Sequence, residues 1–267
     1  MQRCQGTHRA MKPRSKLPQI IKRCAVVGAV PAAVYAALCV FVGVGQRSLL
    51  YFPTHHAPDP TMLPWAVNGE TIGFHRPVPA PQTVWLMLHG NGGQASDRTY
   101  VLPRMAPTDA LYVLEYPGYG RRDGQPALAT INAAAMAAYH ALRREFPAKP
   151  IGILGESIGS GPASALASAS PAPDKITLVV PFDTLANVAA RHFPFLPVRL
   201  MLRDRWDNIA ALRNYAGPVE IYAAIDDEII DFAHAKNLSA QLPAVKFIAI
   251  EGGHNTWSSS SRVRIER

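Results

Sequence analysis

The chain has 267 residues, enough for one large domain or two small ones at most. With 48% hydrophobic and 17% charged residues it can bury a core, which excludes a disordered polymer. The net charge of +8 is uneven: the first 23 residues hold seven basic side chains and no acid, while the other 244 hold 20 basic and 19 acidic residues. The globular part therefore lacks the basic face that nucleic-acid binding requires, and nucleic acid is set aside as a partner.

The basic tail (residues 1–23) carries Arg3, Arg9, Lys12, Arg14, Lys16, Lys22 and Arg23. Residues 24–45 follow without one charge, and a helix of that length spans about 33 Å, close to the bilayer hydrocarbon core. The expectation is a single-pass transmembrane anchor over 24–45. Its basic flank predicts a cytoplasmic N-terminus and an extracytoplasmic domain over 47–267. Two other readings stay open. One is a signal peptide cleaved after Gly43-Val44-Gly45, although the apolar run is long for that. The other is a buried helix, in which Pro31 would be awkward. The three cysteines, Cys4, Cys24 and Cys39, all precede residue 40, so no disulfide, thiol nucleophile or cysteine-based zinc site is expected in the domain.

Residues 55–81 are Pro-rich and read as edge strands and loops. From there short Val/Ile/Leu-rich runs predict buried strands at 83–88, 111–115, 150–154, 176–180, 219–225 and 245–250. Helices are expected at 127–146, 158–168, 184–193 and 232–242. This alternation implies a mostly parallel sheet with helices on both faces and a ligand site at the carboxyl ends of the strands.

The first strand runs into His89-Gly90-Asn91-Gly92-Gly93. Acyl transfer needs two N–H donors aimed at a carbonyl oxygen as it gains charge, and a glycine-rich loop after this strand can turn one inward, most plausibly that of Asn91. His89 itself reads as structural. The strand at 150–154 runs into Gly155-Glu156-Ser157-Ile158-Gly159, a G-x-S-x-G pattern at a strand-to-helix turn. Glycines two positions either side of the serine leave room for the tight turn that lifts its hydroxyl out of the sheet. The N–H of Ile158 is the second expected donor. A plainer reading of the pattern is a Gly-rich turn with a helix-capping serine. Ser160 is a nearby decoy without the glycine frame.

An acid and a histidine complete the arrangement. Asp226, Asp227 and Glu228 follow the strand at 219–225, and His254 follows the last strand. Both positions fall on the same sheet edge as Ser157, in the order serine, acid, histidine. His254 is the expected base, and the acid would orient its ring. Asp227 is favoured over Asp226. Asp183 is a third candidate that could instead cap the following helix. Residues 181–218 are the only substantial cap segment. Their Phe193, Phe195, Leu196, Leu200 and Trp206 either line an acyl pocket or pack on the sheet.

On these motifs residues 47–267 resemble the α/β-hydrolase superfamily. The likeness is to small membrane-anchored members with a minimal cap, described as serine-aminopeptidase-like or prolyl-oligopeptidase-related. It rests on QRSLLYFP at 46–53, HGNGG at 89–93, EYPGYGRRDGQP at 115–126, GESIGSG at 155–161, PFDTL at 181–185, FPFLPVRLMLRDRWDN at 193–208, DDEII at 226–230 and GGHNTW at 252–257. The resemblance implies a triad of Ser157, Asp227 and His254, and favours Asp227 because the run Glu228-Ile229-Ile230 follows it. It implies a serine hydrolase acting on an ester or thioester of a small-molecule or lipid-like acyl substrate, with no metal or organic cofactor. The alternatives are a peptidase or amidase on the same triad and an inactive membrane-tethered interaction protein. Three features depart from the family pattern. Arg122 stands where a serine is usual, and Asp231 where a proline is usual. The 13 residues after His254, ending SSSSRVRIER, lack the expected apolar final helix.

Overall fold

The computed structural model describes residues 17–267, with side chains described from residue 29 onward. The basic tail through Lys16 lies outside the described residues. The chain divides into two units, the second being Gly45–Arg267. Helix α1, Leu17–Leu50, is longer than the anchor expected at 24–45. Its stretch Ala29–Leu50, 22 residues, is long and apolar enough to cross a membrane. Val30, Val34, Phe41 and Val44 are exposed along it. Pro31 lies inside the helix.

In the second unit the strands are β1 (Phe52–Pro53), β2 (Leu63–Val67), β3 (Glu70–Arg76), β4 (Val84–Leu88), β5 (Gly92–Gly93), β6 (Ala110–Leu114), β7 (Ile151–Glu156), β8 (Lys175–Val179), β9 (Val219–Ala224) and β10 (Val245–Ile250). Eight of them form one sheet in the order β10-β9-β8-β7-β4-β6-β3-β2. The six strands from β10 to β6 run parallel, as the strand-helix alternation implied. The Pro-rich segment supplies the antiparallel edge pair β2–β3. β1 and β5 form a separate parallel pair.

The central strands are buried on both faces, and their side chains alternate between two cores. Val84, Leu86 and Leu88 point to the first, where α2 (Leu128–Glu145), α3 (Ser160–Ala165), α6 (Asn208–Leu212) and α7 (Phe232–Ala240) cover the sheet through residues such as Ile131, Ala163, Leu212 and Leu238. Trp85 and Met87 point to the second, and Gly152 leaves the space that the Trp85 ring occupies. A 3-10 helix, Ala95–Arg104, and the C-terminal tail cover this face. The tail is not the expected final helix but an extended strap. Val263 and Ile265 are buried, Ile265 bridges Met105, and Tyr222 Oη donates to the Arg264 carbonyl at 2.7 Å.

Between β8 and β9 lie α4 (Leu185–His192), α5 (Val198–Met201) and α6. This segment corrects one sequence expectation, because its large side chains divide. Trp206 is buried against Gly161 and donates Nε1–H to Asn132 at 3.0 Å. Phe193, Phe195 and Leu200 do not pack on the sheet. They are 54%, 87% and 82% exposed.

Candidate active site

The chain leaves β4 in one direction to form β6 and returns to the other side to form β7, so β4 and β7 flank the reversal of strand order where α/β sheets bind ligands. The loops after these two strands are HGNGG and GESIG.

Ser157 has φ +53°, a left-handed conformation that few non-glycine residues adopt. The flanking glycines are required by close approach. A methyl on Gly159 would run into the carbonyl oxygens of Leu88 and His89, and one on Gly155 into Ala163 and the Gly159 carbonyl. The serine is thereby held where β7 ends and a 3-10 turn, Ser157–Gly159, leads into α3. Its neighbour Ile158 is the second residue of that turn, within the first turn where N–H groups lack helical partners.

His254 Nε2 lies 2.8 Å from Ser157 Oγ. The other ring nitrogen, Nδ1, lies 2.8 Å and 3.0 Å from the two carboxylate oxygens of Asp227. All three side chains are buried. Asp227 Oδ1 also accepts from the N–H groups of Ile229 and Ile230 at 2.9 and 2.7 Å, which fixes the carboxylate plane. Three residues from distant parts of the chain thus form one hydrogen-bonded line, a geometry suited to drawing a proton from a hydroxyl.

The other candidates lie elsewhere. Asp226 is exposed. Ser160 Oγ is buried and accepts from Asn208 Nδ2 at 2.9 Å. Asp183 makes a separate buried pair with His234 at 2.8 Å and accepts from Asn187, Asn237 and the Thr184 N–H. Burial raises its pKa, but these donors outweigh burial and hold the carboxyl at about 2. The helix cap is Thr184, not Asp183.

The HGNGG loop is braced from several sides. Tyr119 Oη donates to Asn91 O at 2.9 Å and contacts its Oδ1 at 3.2 Å. β1 pairs with Gly92 and Gly93, and Arg98 donates to the Gly92 carbonyl. His89 is fully buried, stacks on Tyr116 at 4.1 Å and bonds the Gly90 carbonyl through Nδ1 at 2.7 Å. Burial pushes its pKa well below the ordinary imidazole value, consistent with a structural part. Beneath it, burial raises the Glu115 carboxyl to about 7 despite the Ala95 N–H bonded to it.

Sequence reasoning missed Glu156, the variable residue before the serine. Its buried carboxylate accepts from the Gly90 N–H at 3.0 Å, from Tyr100 Oη at 2.7 Å and from Trp257 Nε1–H at 2.7 Å. One side chain therefore ties the HGNGG loop to the segment three residues beyond His254. The signal was an acid at the end of the apolar run Ile151–Glu156, which must find partners when buried.

No family model matches the chain. An uncharacterized protein of Mycobacterium tuberculosis is 29% identical over 255 residues, covering 88% of this chain and 90% of that protein. Alpha/beta hydrolase domain-containing protein 17C of Xenopus tropicalis is 32% identical over 196 residues, 70% of this chain and 62% of its own length. The human protein 17B of the same description is 30% identical over 196 residues, with 70% and 66% covered. Among solved structures, the Pyrococcus furiosus esterase Pf2001 superposes with a TM-score of 0.60 at 13% identity, over 79% of this chain and 94% of that one. TT1662 of Thermus thermophilus gives 0.55 at 19% identity, over 72% and 90%. With its parallel sheet and the loops at the strand ends, the chain belongs to the α/β-hydrolase superfamily.

Proposed function

We propose that the protein is a serine hydrolase that cleaves an ester or thioester through an acyl-enzyme on Ser157. The observation that carries this reading is the line from Asp227 through His254 to Ser157 Oγ, with 2.8 Å at each step. In the proposed reaction Ser157 Oγ attacks the carbonyl carbon while His254 Nε2 takes its proton. Asp227 holds the ring with Nδ1–H toward its carboxylate and stabilises the charged imidazole. The carbonyl oxygen becomes an oxyanion, received by the N–H groups of Asn91 and Ile158. His254 then returns the proton to the leaving alcohol or thiol. A water molecule, deprotonated by the same nitrogen, attacks the acyl carbon; the bond to Oγ breaks, Oγ recovers the proton from His254 Nε2, and the acid leaves. No step calls on a metal or organic cofactor.

The substrate class proposed is a small-molecule or lipid-like acyl compound met at a membrane. α1 supports the second part, being long and apolar enough to cross one. The proposed topology has the N-terminus cytoplasmic and the domain extracytoplasmic, because the charge excess lies before the span.

A fluorophosphonate probe tests the chemistry. Wild-type protein is expected to become labelled and to hydrolyse p-nitrophenyl acyl esters. Ser157→Ala and His254→Ala should lose labelling and at least about 10³-fold in turnover. Labelling that persists in Ser157→Ala would refute the assignment. Faster turnover of aminoacyl anilides than of acyl esters would move the substrate class to amides.

A further inference from the structure

The segment from Arg191 to Arg205 is unusual for a water-facing surface. Phe193, Phe195 and Leu200 are 54%, 87% and 82% exposed. Isolated exposed apolar residues are ordinary, but three large ones within eight positions concentrate apolar surface on one short segment. The same segment carries four exposed arginines, Arg191, Arg199, Arg203 and Arg205. Its only acid, Asp204, is buried and engaged by Arg47 at 3.3 Å and by Tyr51 Oη at 2.9 Å. The outward charge is therefore positive. Exposed aromatic and aliphatic side chains interspersed with arginines suit the boundary between headgroups and acyl chains.

Two sets of bonds say where this patch belongs. Gln46 Nε2 donates to the Met201 carbonyl at 3.1 Å, and the Arg203 N–H donates to Gln46 Oε1 at 2.7 Å. Residues 46 and 47 lie within the last turns of the apolar stretch that ends at Leu50. At its other end the segment meets the loop that carries Asp227. His192 Nε2 bonds the Ile229 carbonyl at 2.7 Å, and Arg191 pairs with Asp231 at 2.5 Å. Asp231, where the family resemblance implied a proline, is the partner of Arg191.

We propose that residues 193–205 are an interfacial docking surface for an anionic phospholipid bilayer. Phe193, Phe195 and Leu200 enter the headgroup boundary, and the arginines contact lipid phosphates. This rests on the membrane-spanning reading of α1, not on the chemistry assigned to Ser157. Through His192 and Arg191 the same surface is bonded to the loop that carries Asp227.

The test is spin-label depth measurement on the full chain in vesicles, in a background with Cys4, Cys24 and Cys39 replaced by serine. Labels are introduced by Phe195→Cys and Leu200→Cys. Phe41→Cys gives a reference within the span. Arg144→Cys gives an exposed reference at the end of α2, which leads into the amino end of β7. In vesicles containing phosphatidylglycerol, labels at 195 and 200 should favour collisions with oxygen over a nickel chelate at least several-fold, as at 41 and unlike 144. In phosphatidylcholine alone, or with Arg199→Glu and Arg203→Glu combined, that preference should fall. Labels at 195 and 200 that match 144 would overturn the proposal. So would protection from both reagents, which would mean that protein covers the patch, or an unchanged depth in phosphatidylcholine. Fluorophosphonate labelling of the same samples reports folding and the Ser157 assignment separately. A water-like signal at 41 would show that the span itself had failed.

Discussion

Glu156 is three hydrogen bonds away from being an ordinary surface acid. Replacing it by glutamine keeps the size but removes the charge and half the acceptor capacity, leaving an N–H of Gly90 or Trp257 unpaired. The expected result for Glu156→Gln is a loss of about 1–3 kcal/mol in stability. On the proposed mechanism, turnover should fall by about 10–100-fold with KM little changed, because the donor proposed at Asn91 would drift from the carbonyl oxygen. Denaturant titration and steady-state kinetics check the two halves. Rescue of kcat by Glu156→Asp would show that the charge matters more than the reach. At this scale the legible residues were those with a motif around them. Ser157 and His254 stood in glycine frames, and Asp227 stood before a recognisable run. Glu156, Tyr100 and Trp257 had no such frame. Their partners are 56 and 101 positions away from Glu156, and no local pattern links them.

The loop after β4 rests on a carboxyl group that prefers to be neutral. Glu115 lies 3.8 Å from His89 Nε2, and burial raises its pKa to about 7 from an ordinary value of 4.5. Between those two values the folded protein binds a proton that the unfolded chain has already lost. Stability therefore falls as pH rises from about 4.5 to 7 and levels off above. Glu115→Gln should lack this slope, so its melting temperature should gain on the wild type across that window. A parallel pair of curves would contradict the assignment. The tail is the second element with a measurable part. Ile265 is fully buried beneath the sheet, so Ile265→Ala should cost about 2–4 kcal/mol in urea unfolding. Most strands were legible within a residue or two, because β4 and β6 are continuous apolar runs and β7, β8 and β9 are mostly apolar, broken only by Glu156, Lys175, Thr177 and Glu220. The tail was not, since alternating Val263 and Ile265 with arginines is too short a pattern to separate a strap from a loop. Nor was the fate of Phe193 and Leu200. Hydrophobicity alone does not say which side of a short helix meets the sheet.

At the scale of the whole domain, strand order was implied only through the site. If serine, acid and histidine meet, then β7, β9 and β10 must point the same way, and they do. The covering of the second face by a 3-10 helix and a tail was invisible in the sequence, because neither carries an α or β periodicity long enough to mark it. The pairing of β1 with β5 was hidden as well, because two residues make no pattern. Thr54 N–H continues that pairing to the Gly93 carbonyl at 3.3 Å. Thr54→Pro removes the donor. It should lower kcat about 10-fold while the melting temperature shifts by only a few degrees, since the bond belongs to a loop and not to the core. Equal losses in both would place the segment among the core supports instead.

Phe52 and Pro53 follow the last turn of α1 after a single residue, and they pair with the loop that holds Asn91. Whatever tugs or trims the chain at this junction acts first on that loop. A soluble fragment cut just after Thr54 should still assemble its sheet, yet turn over sluggishly. One begun at Gln46, with the splint retained, should keep the pace of the intact protein.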